Sequence, residues 1–135
     1  MKRIFLFALF MLFVTGCEFA SQNPLLGRWQ SDEKATLVEA RNAGLTEQQL
    51  QQLENEKVFG RLIAIIDKEK IVFNFEDRFE PSPYRILKIE KQFVDIELFN
   101  SSTKAYETTR IETHGDRMWV PSAMASFREV FVRID

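Results

Sequence analysis

Few side chains in this 135-residue chain belong to the types that do covalent chemistry. Cys17 is its only cysteine and His114 its only histidine. A lone cysteine forms no intrachain disulfide, and with a single histidine there is no ligand set for zinc or iron. Cys17 offers one nucleophilic sulfur, placed directly after the small pair Thr15-Gly16. His114 stands in Thr-His-Gly-Asp, a turn sequence, and reads as a solvated turn residue rather than a metal ligand, heme ligand or general base. Ser122 and Ser126 have no plausible base, and no Gly-x-Ser-x-Gly elbow is present. Glu76, Asp77 and Glu80 cluster near a turn, but Arg78 sits among them and their spacing fits no calcium loop. These residues predict a protein that is not an enzyme and carries neither metal nor cofactor.

A second kind of chemistry, ligand recognition, is offered by the stretch 105–113. Tyr106, Thr108 and Arg110 fall on one face of an extended chain, and Glu107, Thr109 and Ile111 fall on the other. If the first face points into an apolar interior, Arg110 and Tyr106 set a cation and a hydroxyl where an acidic amphiphile would bind, with Arg85 of Arg-Ile-Leu-Lys-Ile as a third member. If it points outward, the same groups are simply solvated. Alternation places Asp95 and Glu97 opposite Val94, Ile96 and Leu98, on a wet face, while Glu107 and Glu112 are left open as acid–base candidates.

These groups must be positioned by the rest of the chain, which starts with a leader. Lys2 and Arg3 precede eleven apolar residues, Ile4 to Val14, and then Thr15-Gly16-Cys17. Charged start, apolar run and small residues are the parts of a signal peptide. Eleven residues at ~1.5 Å rise cover only about half of a ~30 Å hydrocarbon core. Val14-Thr15-Gly16-Cys17 resembles the lipobox of bacterial lipoproteins. The resemblance implies diacylglycerol on the Cys17 sulfur, cleavage before it, and a firm membrane anchor, since each buried methylene adds ~0.8 kcal/mol. Glu18 stands where an aspartate commonly signals inner-membrane retention in such lipoproteins, so the resemblance implies the outer membrane, facing the periplasm.

Cleavage removes residues 1–16, including two basic side chains, and moves the formal net charge from −2 to −4. With no basic cluster left, a nucleic-acid partner is excluded as an expectation. Residues 17–24 read as a lipidated polar tether and residues 25–135 as one domain.

In the domain, Ser31 or Asp32 can cap a first helix that stops near Gly44. Thr46 with Gln49 makes a capping box for a second helix, with Leu45 and Leu50 as its hydrophobic staple. From Val58 onward, runs rich in Val, Ile, Phe and Tyr predict strands at about 58–66, 70–76, 83–90, 92–99, 105–113, 116–120 and 127–134. The links are too short for parallel crossovers, so neighbours are antiparallel. With a strand around Gly27–Trp29 the count is eight, and closure into an up-and-down barrel would hide the edges.

Gly27-x-Trp29 on the first strand, a helix pair directly after it, the meander and the arginine-bearing end Phe-Arg-Glu-Val-Phe-Val-Arg-Ile resemble calycins, the group of lipocalins and fatty-acid-binding proteins. The chain also resembles small bacterial lipoproteins with a GxWxSD start. The lipocalin resemblance implies that Gly27 and Trp29 help close one end of the barrel and that Arg128 or Arg133 lies over the indole, Arg128 being the first choice. The Arg-x-Tyr carboxylate site of fatty-acid-binding proteins is absent from Arg128-Glu129-Val130. The expected function is a membrane-anchored binding module for a lipid-like or apolar small molecule, with Arg110, Tyr106 and Arg85 as ligand candidates. The alternative is an accessory lipoprotein with a filled barrel that binds an envelope protein.

Overall fold

The computed structural model describes residues 23–122 and 125–135; the leader and Cys17 lie outside the described residues. The described chain runs β1 (Gly27–Ser31), α1 (Glu33–Asn42), α2 (Glu47–Asn55), β2 (Ile63–Ile66), β3 (Lys70–Phe75), β4 (Arg78–Glu90), β5 (Phe93–Asn100), β6 (Ala105–His114), β7 (Arg117–Pro121) and β8 (Arg128–Arg133). Each strand pairs antiparallel with the next, and β8 returns to β1, closing an eight-stranded barrel. This is the expected mainly β architecture with its two-helix insert after the first strand.

Two strands depart from their expected bounds, each for a physical reason. β2 begins at Ile63 rather than Val58, because Phe59 turns away to pack edge-on against Phe127 with ring centroids 5.7 Å apart. β4 begins at Arg78, so that Pro81 and Pro83 lie inside a strand. They are tolerated because β4 pairs with β3 alone along Arg78–Pro83 and with β5 along Tyr84–Glu90. The Tyr84 amide donates to the Glu69 carbonyl, so even-numbered amides in this stretch face β3 and the two proline nitrogens face the unpaired side. A free edge with prolines on it resists pairing with another strand.

The register of β4 shifts between Ile86 and Lys88, a bulge that reverses which parity faces inward. Tyr84 before it and Ile89 after it therefore both meet the core. The other strand pairings among the described residues keep their register without such a shift. The interior is filled by Leu25, Trp29, Ala64, Ile66, Ile71, Val94, Ile96, Ile111, Met118 and Phe131.

The helices form beside the barrel rather than inside it. Asp32, not Ser31, caps α1 by accepting from the Ala35 amide, and Thr46 with Gln49 completes the expected capping box on α2. Thr36 of α1 is fully buried on β8, where its hydroxyl accepts the Val130 amide at 2.9 Å. The apolar side of the pair, Ala40 and Leu50 with Leu37, Leu45 and Leu53, encloses Phe59 and Phe127 in a second small core.

Candidate functional site

The two ends of the barrel differ, and the difference begins with Asn23–Leu26. Leu25 is fully buried and plugs one end. Its carbonyl accepts from Trp29 Nε1 at 2.9 Å and its amide donates to Asn23 Oδ1 at 3.0 Å. Asn23 Nδ2 donates to the Tyr84 hydroxyl at 2.8 Å, and that hydroxyl donates to the Asp67 carbonyl. Burial raises the Tyr84 pKa above its ordinary value, against the lowering effect of the Asn23 donor. Asn23 and Pro24, read in sequence as tether, are thus part of the folded end.

Arg133 completes the closed end. Its guanidinium lies over Trp29, 4.2 Å from the ring centroid, and donates to the carbonyls of Leu26 and Pro24. Arg128 was the first choice for this role and does not fill it. The two arginines are five residues apart on one strand, an odd separation that puts them on opposite faces. Arg128 lies outside, paired with Glu39 of α1 and Glu112 of β6, with its guanidinium 6.0 Å from the Trp119 ring. Gly27 has φ +126°, and a Cβ there would stand 2.5 Å from Arg133 Nη1.

The opposite end is open. A cup of about 570 Å³ enters between the β5–β6 turn, the upper part of β4 and the β7–β8 link. Its floor is apolar, formed by Leu62, Phe73, Leu98, Val120 and Phe131. Below the floor lies a small void of about 30 Å³ lined by apolar side chains and Thr109. Ser82, Asn100, Ser101 and Ser102 supply polar atoms higher up, and Thr109 supplies one at the level of the floor.

Three carboxylates, Glu80, Glu107 and Glu129, line the same cup, and no lysine, arginine or histidine does so among the described residues. Each carboxylate accepts from a neutral donor: Glu80 from Ser101, Glu107 from Asn100 at 3.1 Å and Glu129 from Ser31 at 2.6 Å. None of the three takes part in an ion pair among the described residues. Burial pushes the Glu129 pKa up, and the Ser31 hydrogen bond offsets part of that rise. Ser31 is itself buried and accepts the Gly60 amide at 3.0 Å, which fixes its hydroxyl toward Glu129.

Arg110, Tyr106 and Arg85 lie on the outer wall, away from the cup. Asp95 and Arg110 are directly opposite across β5 and β6, and their side chains meet at 2.8 and 3.0 Å. The pairing holds the Asp95 carboxyl below its usual range. Arg85 pairs with Glu97 and lies 4.6 Å from the centre of the Tyr106 ring, while Arg110 lies 5.3 Å from that of Phe93. The inward orientation required for an acidic ligand is not adopted. Register decides this: Asp95 and Glu97 are on the wet face, and the cations that pairing places opposite them, Arg110 and Arg85, are therefore wet as well. Glu129 was missed because Arg-Glu-Val-Phe-Val-Arg gives no sign of which parity faces inward.

His114 ends β6 in an exposed turn beside Arg117. Glu76 is paired with Arg61, and Glu80 belongs to the cup. No group of three or more histidine, cysteine or carboxylate side chains with metal-binding geometry occurs among the described residues. A second concavity, about 440 Å³, lies along α2 beside Phe59 and Phe127.

The N-terminal stretch matches the prokaryotic membrane lipoprotein lipid attachment site over residues 1–17, ending on Cys17. No curated protein and no solved structure matches the chain. The attachment-site match supports anchoring of this chain to a bacterial membrane through a lipid, as a protein of the cell envelope.

Proposed function

We propose that this is an outer-membrane lipoprotein facing the periplasm, whose lipocalin-like barrel is a non-catalytic receptor for a small amphiphile. The cup carries this reading. Its volume is in the range of small-molecule sites, and an apolar floor beneath a few polar groups is the usual composition of such sites. The ligand's apolar part rests on Phe73, Leu98, Val120 and Phe131. Its head group meets Glu80, Glu107 and Glu129, which favours an ammonium or other hydrogen-bond donor and disfavours an acid, because like charges in a partly buried site repel. Glu18 after the lipidated cysteine supports the outer membrane over the inner.

The test is a calorimetric titration of the soluble domain with dodecylamine and, separately, with dodecanoate. The amine is expected to bind once per barrel and the acid not at all. Leu98→Trp, which fills the floor, should abolish binding, and Glu107→Gln should weaken it. Absence of binding by both compounds overturns the receptor reading.

A second reading is favoured by the outer wall of β4, where Phe79 and Leu87 are 61 % and 52 % exposed. Exposed apolar side chains of this size suit an envelope protein partner rather than a small molecule.

A further inference from the structure

Asn23 lies at the closed end of the barrel, opposite the cup, and the chain between it and Cys17 is short. Cys17 is six residues before Asn23. At ~3.5 Å per residue, the fully extended segment spans about 21 Å. Asn23 is held at the closed end by Tyr84, and the following residues are held there by Arg133 and Trp29. The chain toward Cys17 therefore departs from the closed end.

The mouth is distant on this scale. β6 runs from the closed end at His114 to the rim at Ala105 in ten residues. With ~3.3 Å rise and a strand tilt of about 40°, the wall stands roughly 23 Å high. Turning the mouth to the membrane would consume the whole tether in height alone, pulled taut along the wall, with nothing left to pass around the side chains. Full extension also carries the entropic cost of fixing every backbone dihedral in the segment. With the closed end down, no such stretch is required.

We infer that the barrel stands on its closed end, with the leaflet beside the Asp67–Lys70 and His114–Arg117 turns and the mouth opening away from the anchoring membrane. If the cup is a receptor, as proposed above, it then exchanges its contents with the aqueous compartment and not with the lipid leaflet beneath it. The orientation itself does not depend on that reading.

The experiment uses the full-length, lipidated protein in vesicles. Acylation consumes the Cys17 sulfur, so a second cysteine alone takes a maleimide dye. Lys68→Cys marks the closed end and Thr103→Cys marks the mouth, both at exposed turn positions. Energy transfer to a headgroup-labelled lipid is expected to be several-fold stronger from position 68 than from position 103. Equal or reversed transfer overturns the orientation. Inserting a flexible Gly/Ser segment of about twenty residues between Ser21 and Gln22 should bring the two values together. A difference that survives the insertion would mean that the tether does not set the orientation. Neither outcome involves the ligand, so a failure here is distinct from a failure of the receptor proposal.

Discussion

Arg133 stands directly across the β8–β1 pair from Trp29, and its guanidinium covers the indole at 4.2 Å. The contact is local to one cross-strand pair, yet it seals a whole end of the barrel. The indole N–H fixes the Leu25 carbonyl from one side, while the guanidinium fixes those of Leu26 and Pro24 from the other. The segment that leads to the membrane anchor is thereby part of the plug.

Trp29→Ala should cost about 3–5 kcal/mol of stability, the usual range for removing a fully buried large aromatic side chain. Arg133→Ala should cost about 1–3 kcal/mol, because it uncovers the ring and leaves two carbonyls without their donor. Arg133→Lys should recover only part of the loss, since an ammonium lacks the planar fork. Urea unfolding followed by Trp fluorescence measures all three. Equal stability of Arg133→Ala and wild type would remove the seal as a stabilising feature.

Gly27→Ala should destabilise by about 1–3 kcal/mol, from the positive φ and the collision with Arg133. In the double variant Gly27→Ala, Arg133→Ala the second change should cost less than it does alone, because the collision has been removed. Additive losses in that cycle would show that the strain is confined to the backbone.

Glu129 gives a pH dependence of defined sign. Its folded pKa is raised above its ordinary value by burial. The folded state thus holds this proton more tightly than the unfolded state, so its contribution to stability falls as pH rises from the unfolded value through the folded one. Glu129→Gln should raise the melting temperature at pH 7, with the gain shrinking toward pH 4 as the wild-type carboxyl becomes protonated. A gain independent of pH would assign the effect to packing instead of charge.

Cys17→Ala should move the protein from the membrane fraction to the soluble fraction and leave its precursor uncleaved by the lipoprotein peptidase. Fractionation and mass measurement of the intact chain check both parts. Retention in the membrane without acylation would sink the lipid anchor.

The sequence by itself determined what local chemistry determines. The charged start, the apolar run and Thr15-Gly16-Cys17 marked the attachment site without any folding, because such a site is read on an extended chain. Thr46 and Gln49 fixed the start of α2, since a capping box needs only four consecutive residues. Alternation in Ile71–Phe75 and Val94–Leu98, together with short turns, was enough to require an antiparallel meander, while its closure came from the pairing of β8 with β1. What only the tertiary structure decided was parity and register across strands distant in the chain. Arg133, not Arg128, meets Trp29 because strand parity is set by the pairing of β8 with β1, and a slip of one residue reverses every side chain. Arg110 is spent on Asp95 outside, while Glu80, Glu107 and Glu129, which come from three strands, meet at the mouth. Charge in the cup is a property of the closed barrel, and no window of sequence contains it.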